Sequence, residues 1–137
     1  MNPKAKALQE RTHRFHVRVI AFCEALPRTA AARSIANQLL DSAGSTDSNY
    51  RAACRARTRK EFISKLGVAA EEADESQGWL QALVSAEIGD PDEARALAQE
   101  ADELIAVFVA SQNTAKRNLA RNKREGPHPR LRPGERA

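Results

Sequence analysis

Aromatic side chains are scarce in this 137-residue chain, which holds four Phe, one Trp and one Tyr. Strands favour aromatic and β-branched residues. The apolar share, 42% of the chain, leans instead on alanine, the strongest helix former, which excludes an all-β fold. Cysteine is limited to Cys23 and Cys54, too few for a disulfide scaffold, and the pair is expected as small buried thiols in a reducing cytoplasm. No apolar run approaches the roughly 20 residues of a membrane span, and no secretory leader is evident. The expected location is therefore cytoplasmic, with no membrane partner. The six glycines are scattered, so no glycine-rich phosphate cradle is present. A chain of this length forms one domain and buries roughly 70% of its unfolded surface, which requires no cofactor and no metal.

Helical periodicity fills most of what is there. Leu8, Phe15, Val19, Phe22 and Leu26 recur at spacings of three, four and seven, which predicts a helix over about 5–26 that Pro27 ends. Thr29 is an N-cap for a second helix over 30–55 through Ile35, Leu39, Ala43 and Tyr50. The run Ser42 to Ser48 is poor in helix formers and allows a break, or alternatively a close approach of two backbones. Thr58 and Glu61 form a capping box opening a third helix over 59–87, with Phe62, Leu66, Ala69, Ala73, Leu80 and Val84 as its stripe and Gly89 closing it. Gly67 and Gly78 within it are read as points of tight packing. Asp90-Pro91-Asp92-Glu93 opens a fourth helix over 91–119, striped by Leu97, Ala101, Leu104, Phe108 and Ala115. Residues 122–137 read as a disordered basic tail. The fold class is all-α, an antiparallel up-down-up-down four-helix bundle spanning 1–121.

Charge is mild in total, +4, yet uneven along the chain: residues 1–60 carry +8, 61–110 carry −10 and 111–137 carry +6. Up-down-up-down topology brings the start of helix 1, the junction of helices 2 and 3 and the end of helix 4 to one end. That end collects Arg11 and Arg14, then Arg51, Arg55, Arg57, Arg59 and Lys60, then Lys116, Arg117, Arg121, Lys123 and Arg124. These twelve residues are the candidate nucleic-acid contacts, through phosphates rather than bases, since Tyr50 is the one aromatic beside them. The alternative is that they pair with the acidic surface of helices 3 and 4. A second apolar surface, Val17, Ile20, Val68 and Trp79, lies off the core stripes and is the candidate oligomer interface.

Catalytic chemistry finds little support. Glu10-x-x-His13 is the single Glu-x-x-His pair within the predicted helices, and it falls on the helix face opposite the core, so no metal site is expected. Cys23 and Cys54 sit near opposite ends of the bundle, and His13, His16 and His128 offer no nucleophilic triad. Glu71, Glu72, Asp74 and Glu75 point in different directions around their helix and read as a solvated face.

The run NYRAACRARTRKEF from Asn49 to Phe62, with LGVAAEEADESQGWL after it, resembles the helix 2 to helix 3 junction of the four-helix bundle protein family. That family includes proteins encoded in intervening sequences of large-subunit ribosomal RNA genes, and the resemblance extends from about Phe15 to Val109. Gln38-Leu39, Ser45, Asn49, Lys60-Glu61-Phe62 and Glu72 are its best marks; Ala52 and Ala53 replace a glycine and an acidic residue of many members. The resemblance implies a homopentameric barrel, no enzymatic activity, nucleic-acid binding and, from relatives in diversity-generating retroelements, a reverse transcriptase as a partner. The sequence thus points to a non-catalytic oligomer that binds RNA or DNA through a basic pole, with an oligomeric protein-interaction scaffold as the alternative.

Overall fold

Each helix begins where a side chain can satisfy the first free backbone N–H groups. In the computed structural model, which describes residues 1–125, α1 (Pro3–Glu24) starts behind Asn2, whose side chain accepts from the Lys4 N–H. Helix α2 (Ala30–Cys54) starts at Thr29, which accepts from Ala32, and α3 (Arg59–Ser85) at Thr58, which accepts from Glu61. Glu61 in turn accepts from the Arg57 N–H at 3.1 Å, one residue earlier than an ideal capping box would have it. Helix α4 (Pro91–Glu125) opens with the Asp90 carboxylate accepting from Asp92. The four helices form a ring in which α2 packs on α3 and α3 on α4 most extensively, whereas α1 meets α2 less and α4 least. The core runs down the middle through Phe15 and Val19, Leu39 and Ala43, Leu66 and Ala73, and Leu97, Leu104 and Phe108, all buried. Across the diagonal, the Tyr50 ring of α2 stacks on Phe108 of α4 with centroids 5.2 Å apart.

Helix ends shift from the sequence reading, while the weak stretch of α2 follows the second of its two open courses, a close approach of backbones without a break. Helix α2 is continuous through Ser42 to Ser48, because tertiary packing supplies what propensity withholds. Ser42 and Thr46 are buried, the Ser42 and Ser76 hydroxyls meet at 2.7 Å across the α2–α3 seam, and the Thr46 hydroxyl bonds back to the Ser42 carbonyl. These small side chains let the two backbones approach while satisfying their own polar atoms. Helix α1 stops at Glu24, and α4 continues to Glu125 rather than ending near 119. The segment 126–137, most of the expected tail, lies outside the described residues. In α3, Leu83 is fully buried while Val84 is half-buried. Gly67 does mark a close approach, since a Cβ there would stand 2.9 Å from the Gln112 amide, which donates to the Ile63 carbonyl at 3.0 Å. Gly78 faces open space, so tight packing is not its role.

Helix α3 is terminated by Glu87, two residues before the expected Gly89. Glu87 has φ 58°. Its N–H bonds to the Val84 carbonyl and that of Ile88 to the Leu83 carbonyl, the Schellman arrangement that satisfies the last carbonyls of a helix. A side chain in this left-handed conformation costs about 1 kcal/mol that glycine avoids. Glu87→Gly should therefore raise stability by about 0.5–1 kcal/mol, read as a higher urea midpoint.

Candidate nucleic-acid interface and an adjoining His-Asp cluster

The up-down-up-down path does bring the three basic segments to one end. The Gln112–Ile63 hydrogen bond sets the register of α4 against α3. With residue 112 level with 63, the last nine residues of α4 project past the start of α3 by about 13 Å at 1.5 Å per residue. Arg55, Arg57 and Lys60 at the α2–α3 turn and Lys116, Arg117 and Arg121 on α4 are exposed, as is Arg14 on α1. Lys123 and Arg124 fall on the last turn of α4, and their side chains lie outside the described residues, as does His128.

Three of the expected contacts are otherwise engaged. Arg11 forms a two-pronged ion pair with Glu100 of α4, at 2.6 and 2.8 Å, and a third bond to Glu103 at 3.0 Å. The hydrogen bonds to Glu100 outweigh the desolvation of the guanidinium and hold its pKa above the ordinary value. Arg11 is thus a strut between α1 and α4, as the alternative reading of the charges has it, and Arg18 repeats the contact on Glu93 at 3.0 Å. Arg51 is half-buried with a guanidinium nitrogen 3.8 Å from Asp47, and Arg59 is half-buried too. The apolar set also divides. Val17 and Ile20 are 49% and 39% exposed, and Val109, which the sequence reading omitted, is 39% exposed. Val68 is half-buried, and Trp79 packs against the core rather than standing clear of it.

The sequence reading missed one constellation. His13 and His16, one turn apart on α1, both place Nδ1 at 2.9 Å from the same oxygen, Oδ2 of Asp47 on α2. A carboxylate only accepts, so both rings carry their proton on Nδ1. Asp47 is 5% exposed. Burial raises its pKa, but the bonds from His16 and His13 and the nearby positive charge outweigh it, and the carboxyl is held below the usual range. The His13-x-x-His16 spacing was visible in the sequence; its pairing with the carboxylate near the end of the weak stretch of α2 was not. His13 also lines a shallow groove with Lys6, Gln9, Glu10, Arg14 and Arg51.

The two thiols form no disulfide. Burial pushes Cys23 up to about 11, with Glu24 adding to the effect, so little thiolate exists at neutral pH. Alkylation of Cys23 by iodoacetamide should be slow at neutral pH and should accelerate about tenfold per pH unit toward that value, as read by mass spectrometry of the labelled peptide. On α3, burial and the neighbouring Glu75 and Glu71 raise the Glu72 carboxyl, so this member of the acidic run is half-buried rather than fully solvated.

A sequence profile described as 23S rRNA-intervening sequence protein matches residues 5–110. The chain belongs to that family. No curated protein matches it in sequence. Among solved structures, the chain is similar to a protein of unknown function of the S23 ribosomal protein family from Bacteroides thetaiotaomicron, determined at 1.70 Å. The two share 24% identity over 80% of this chain and 98% of that one, with a TM-score of 0.74, a likeness of fold. The four-helix architecture is common to both. In this intervening-sequence family protein the profile ends at residue 110, so Lys116, Arg117 and Arg121 lie beyond the matched span. The His13, His16 and Asp47 cluster lies within it. No helix among the described residues is long and apolar enough to cross a membrane.

Proposed function

We propose that this intervening-sequence family protein is a non-catalytic nucleic-acid-binding protein that grips phosphate backbones with one end of its bundle. The observation that supports this most is the convergence of exposed cations from α2, α3 and α4, Arg55, Arg57, Lys60, Lys116, Arg117 and Arg121, around an end from which α4 protrudes. Such a cluster draws its affinity from counterion release and is nearly blind to base sequence. The exposed Val17 and Ile20 on α1, with Val109 on α4, support assembly of several copies, a pentamer by family resemblance. A ring of copies would repeat the basic end and convert weak single contacts into avid binding. A reverse transcriptase remains a partner by resemblance alone.

Filter binding of single-stranded and duplex RNA and DNA across a salt series tests the reading. Log affinity should fall linearly with log salt concentration, with little difference between sequences of one strand type. Absence of binding at low salt would favour the other reading, a protein-interaction scaffold. The Arg11–Glu100–Glu103 and Arg18–Glu93 pairs show that part of the charge already serves the fold.

A further inference from the structure

The geometry points to a divalent transition-metal site formed by His13 and His16 of α1 and Asp47 of α2. Each residue offers one ligand atom, and these atoms lie within 4.8 Å of one another. Both imidazole Nδ1 atoms crowd a single carboxylate oxygen at 2.9 Å, while the other oxygen of Asp47, buried, accepts no hydrogen bond. The Arg51 guanidinium stands 3.8 Å from it, too long for a hydrogen bond. A buried carboxylate used on one side only is the acceptor a cation completes. Tetrahedral zinc at about 2.0–2.1 Å from its ligands sets them about 3.3 Å apart. Each His–Asp separation then opens by a few tenths of an ångström, and the two Nδ1 atoms draw together. His13 has room to make that move, since its side chain is 56% exposed.

Two further features suit the assignment. Gly44 lies one turn before Asp47 on α2, and a Cβ there would stand 3.3 Å from His16 Nε2, so the glycine leaves the ring its place. Two imidazoles and one carboxylate favour zinc, nickel, cobalt or copper over magnesium and calcium, which prefer oxygen donors. Neutral imidazoles bind by moving their proton from Nδ1 to Nε2, with no net proton lost. Three protein ligands leave a fourth position for water on the side where His13 meets solvent. The ion would fasten α1 to α2 at mid-height, and none of the proposed nucleic-acid contacts is among the ligands.

The full chain, treated with chelator and dialysed, is titrated with zinc by calorimetry and with cobalt by visible absorption. One equivalent per chain is expected, with tetrahedral ligand-field bands for cobalt, a higher melting temperature with zinc and no such effect of magnesium. His13→Gln and Asp47→Asn should each weaken binding by at least about tenfold, with helicity by circular dichroism retained. His13→Gln carries the test by itself if Asp47→Asn fails to fold. His128→Gln should bind as the wild type does. Absence of saturable binding of one equivalent at about 100 µM zinc, a Kd weaker than roughly −5.5 kcal/mol of binding free energy, would overturn the proposal. So would binding unchanged in His13→Gln, or binding lost in His128→Gln.

Discussion

Phe108→Ala should destabilise the bundle by about 3–5 kcal/mol, the largest effect expected of any single substitution here. Phe108 is fully buried at the centre of α4. Its ring stacks on Tyr50 at 5.2 Å with 21° between the planes, so one truncation removes the contact that bridges α2 and α4 across the bundle. The core is rich in alanine, with Ala43, Ala69, Ala73 and Ala101 all fully buried. Short side chains cannot swing into the space, and the cavity term persists alongside the lost transfer energy. An aromatic pair adds about 0.5–1.5 kcal/mol beyond its buried area. Against a total stability of about 5–15 kcal/mol for a domain, the variant approaches the edge of folding. Urea denaturation should show the midpoint falling with the slope preserved; a loss below about 1 kcal/mol would mean that the stack is not a keystone of the core.

Replacing Arg55, Arg57, Lys60, Arg117 and Arg121 with glutamine should lower nucleic-acid affinity at low salt by at least about a hundredfold. All five are exposed, and none forms an ion pair among those found between described residues at up to 4.0 Å, so the fold should tolerate the change. Arg57 contributes its backbone N–H to Glu61, a bond that survives any side chain there. If each cation meets one phosphate, the slope of log affinity against log salt should fall by about 4.5 for duplex DNA. Arg11→Gln is the contrasting variant. It should cost stability through loss of the Glu100 and Glu103 pairs while leaving the salt slope as it was. Sedimentation equilibrium separates the scaffold reading, because a five-fold variant that binds normally but no longer assembles assigns these cations to subunit contacts.

Local chemistry made much of this legible before any coordinates. Thr58 with Glu61, Asp90 before Pro91, and Pro27 each mark a helix end through one or two side chains, and the stripes through Phe15, Leu66 and Leu104 follow from a single periodicity. What escaped depends on how one helix sits against the next. Propensity treats Ser42 to Ser48 as an isolated helix and cannot know that the Ser42 hydroxyl will meet Ser76. A count of charges cannot tell that Arg11 is held by Glu100, 89 residues away, whereas Arg14 is exposed. The His-Asp cluster needs the register of α1 on α2, which neither helix encodes by itself. Gly89, itself left-handed at φ 81°, carries the C-terminal signal in the sequence, but the residue whose bonds close α3 is Glu87 at φ 58°.

The thin seam between α1 and α4 bears on the order in which the chain completes itself. Helices α2, α3 and α4 are consecutive and share the two largest contacts, so they can associate over short loops. Helix α1 is synthesised first, yet its ion-pair partners Glu93, Glu100 and Glu103 come last. Until they emerge, α1 has α2 alone to hold it, with Phe15, Val19 and Phe22 incompletely covered. With the least contact to its neighbours, the same helix should be the easiest to open locally in the finished protein. Its amides should exchange with solvent through a detachment that leaves the other three helices closed, the first unfolding step and the reverse of the last folding one.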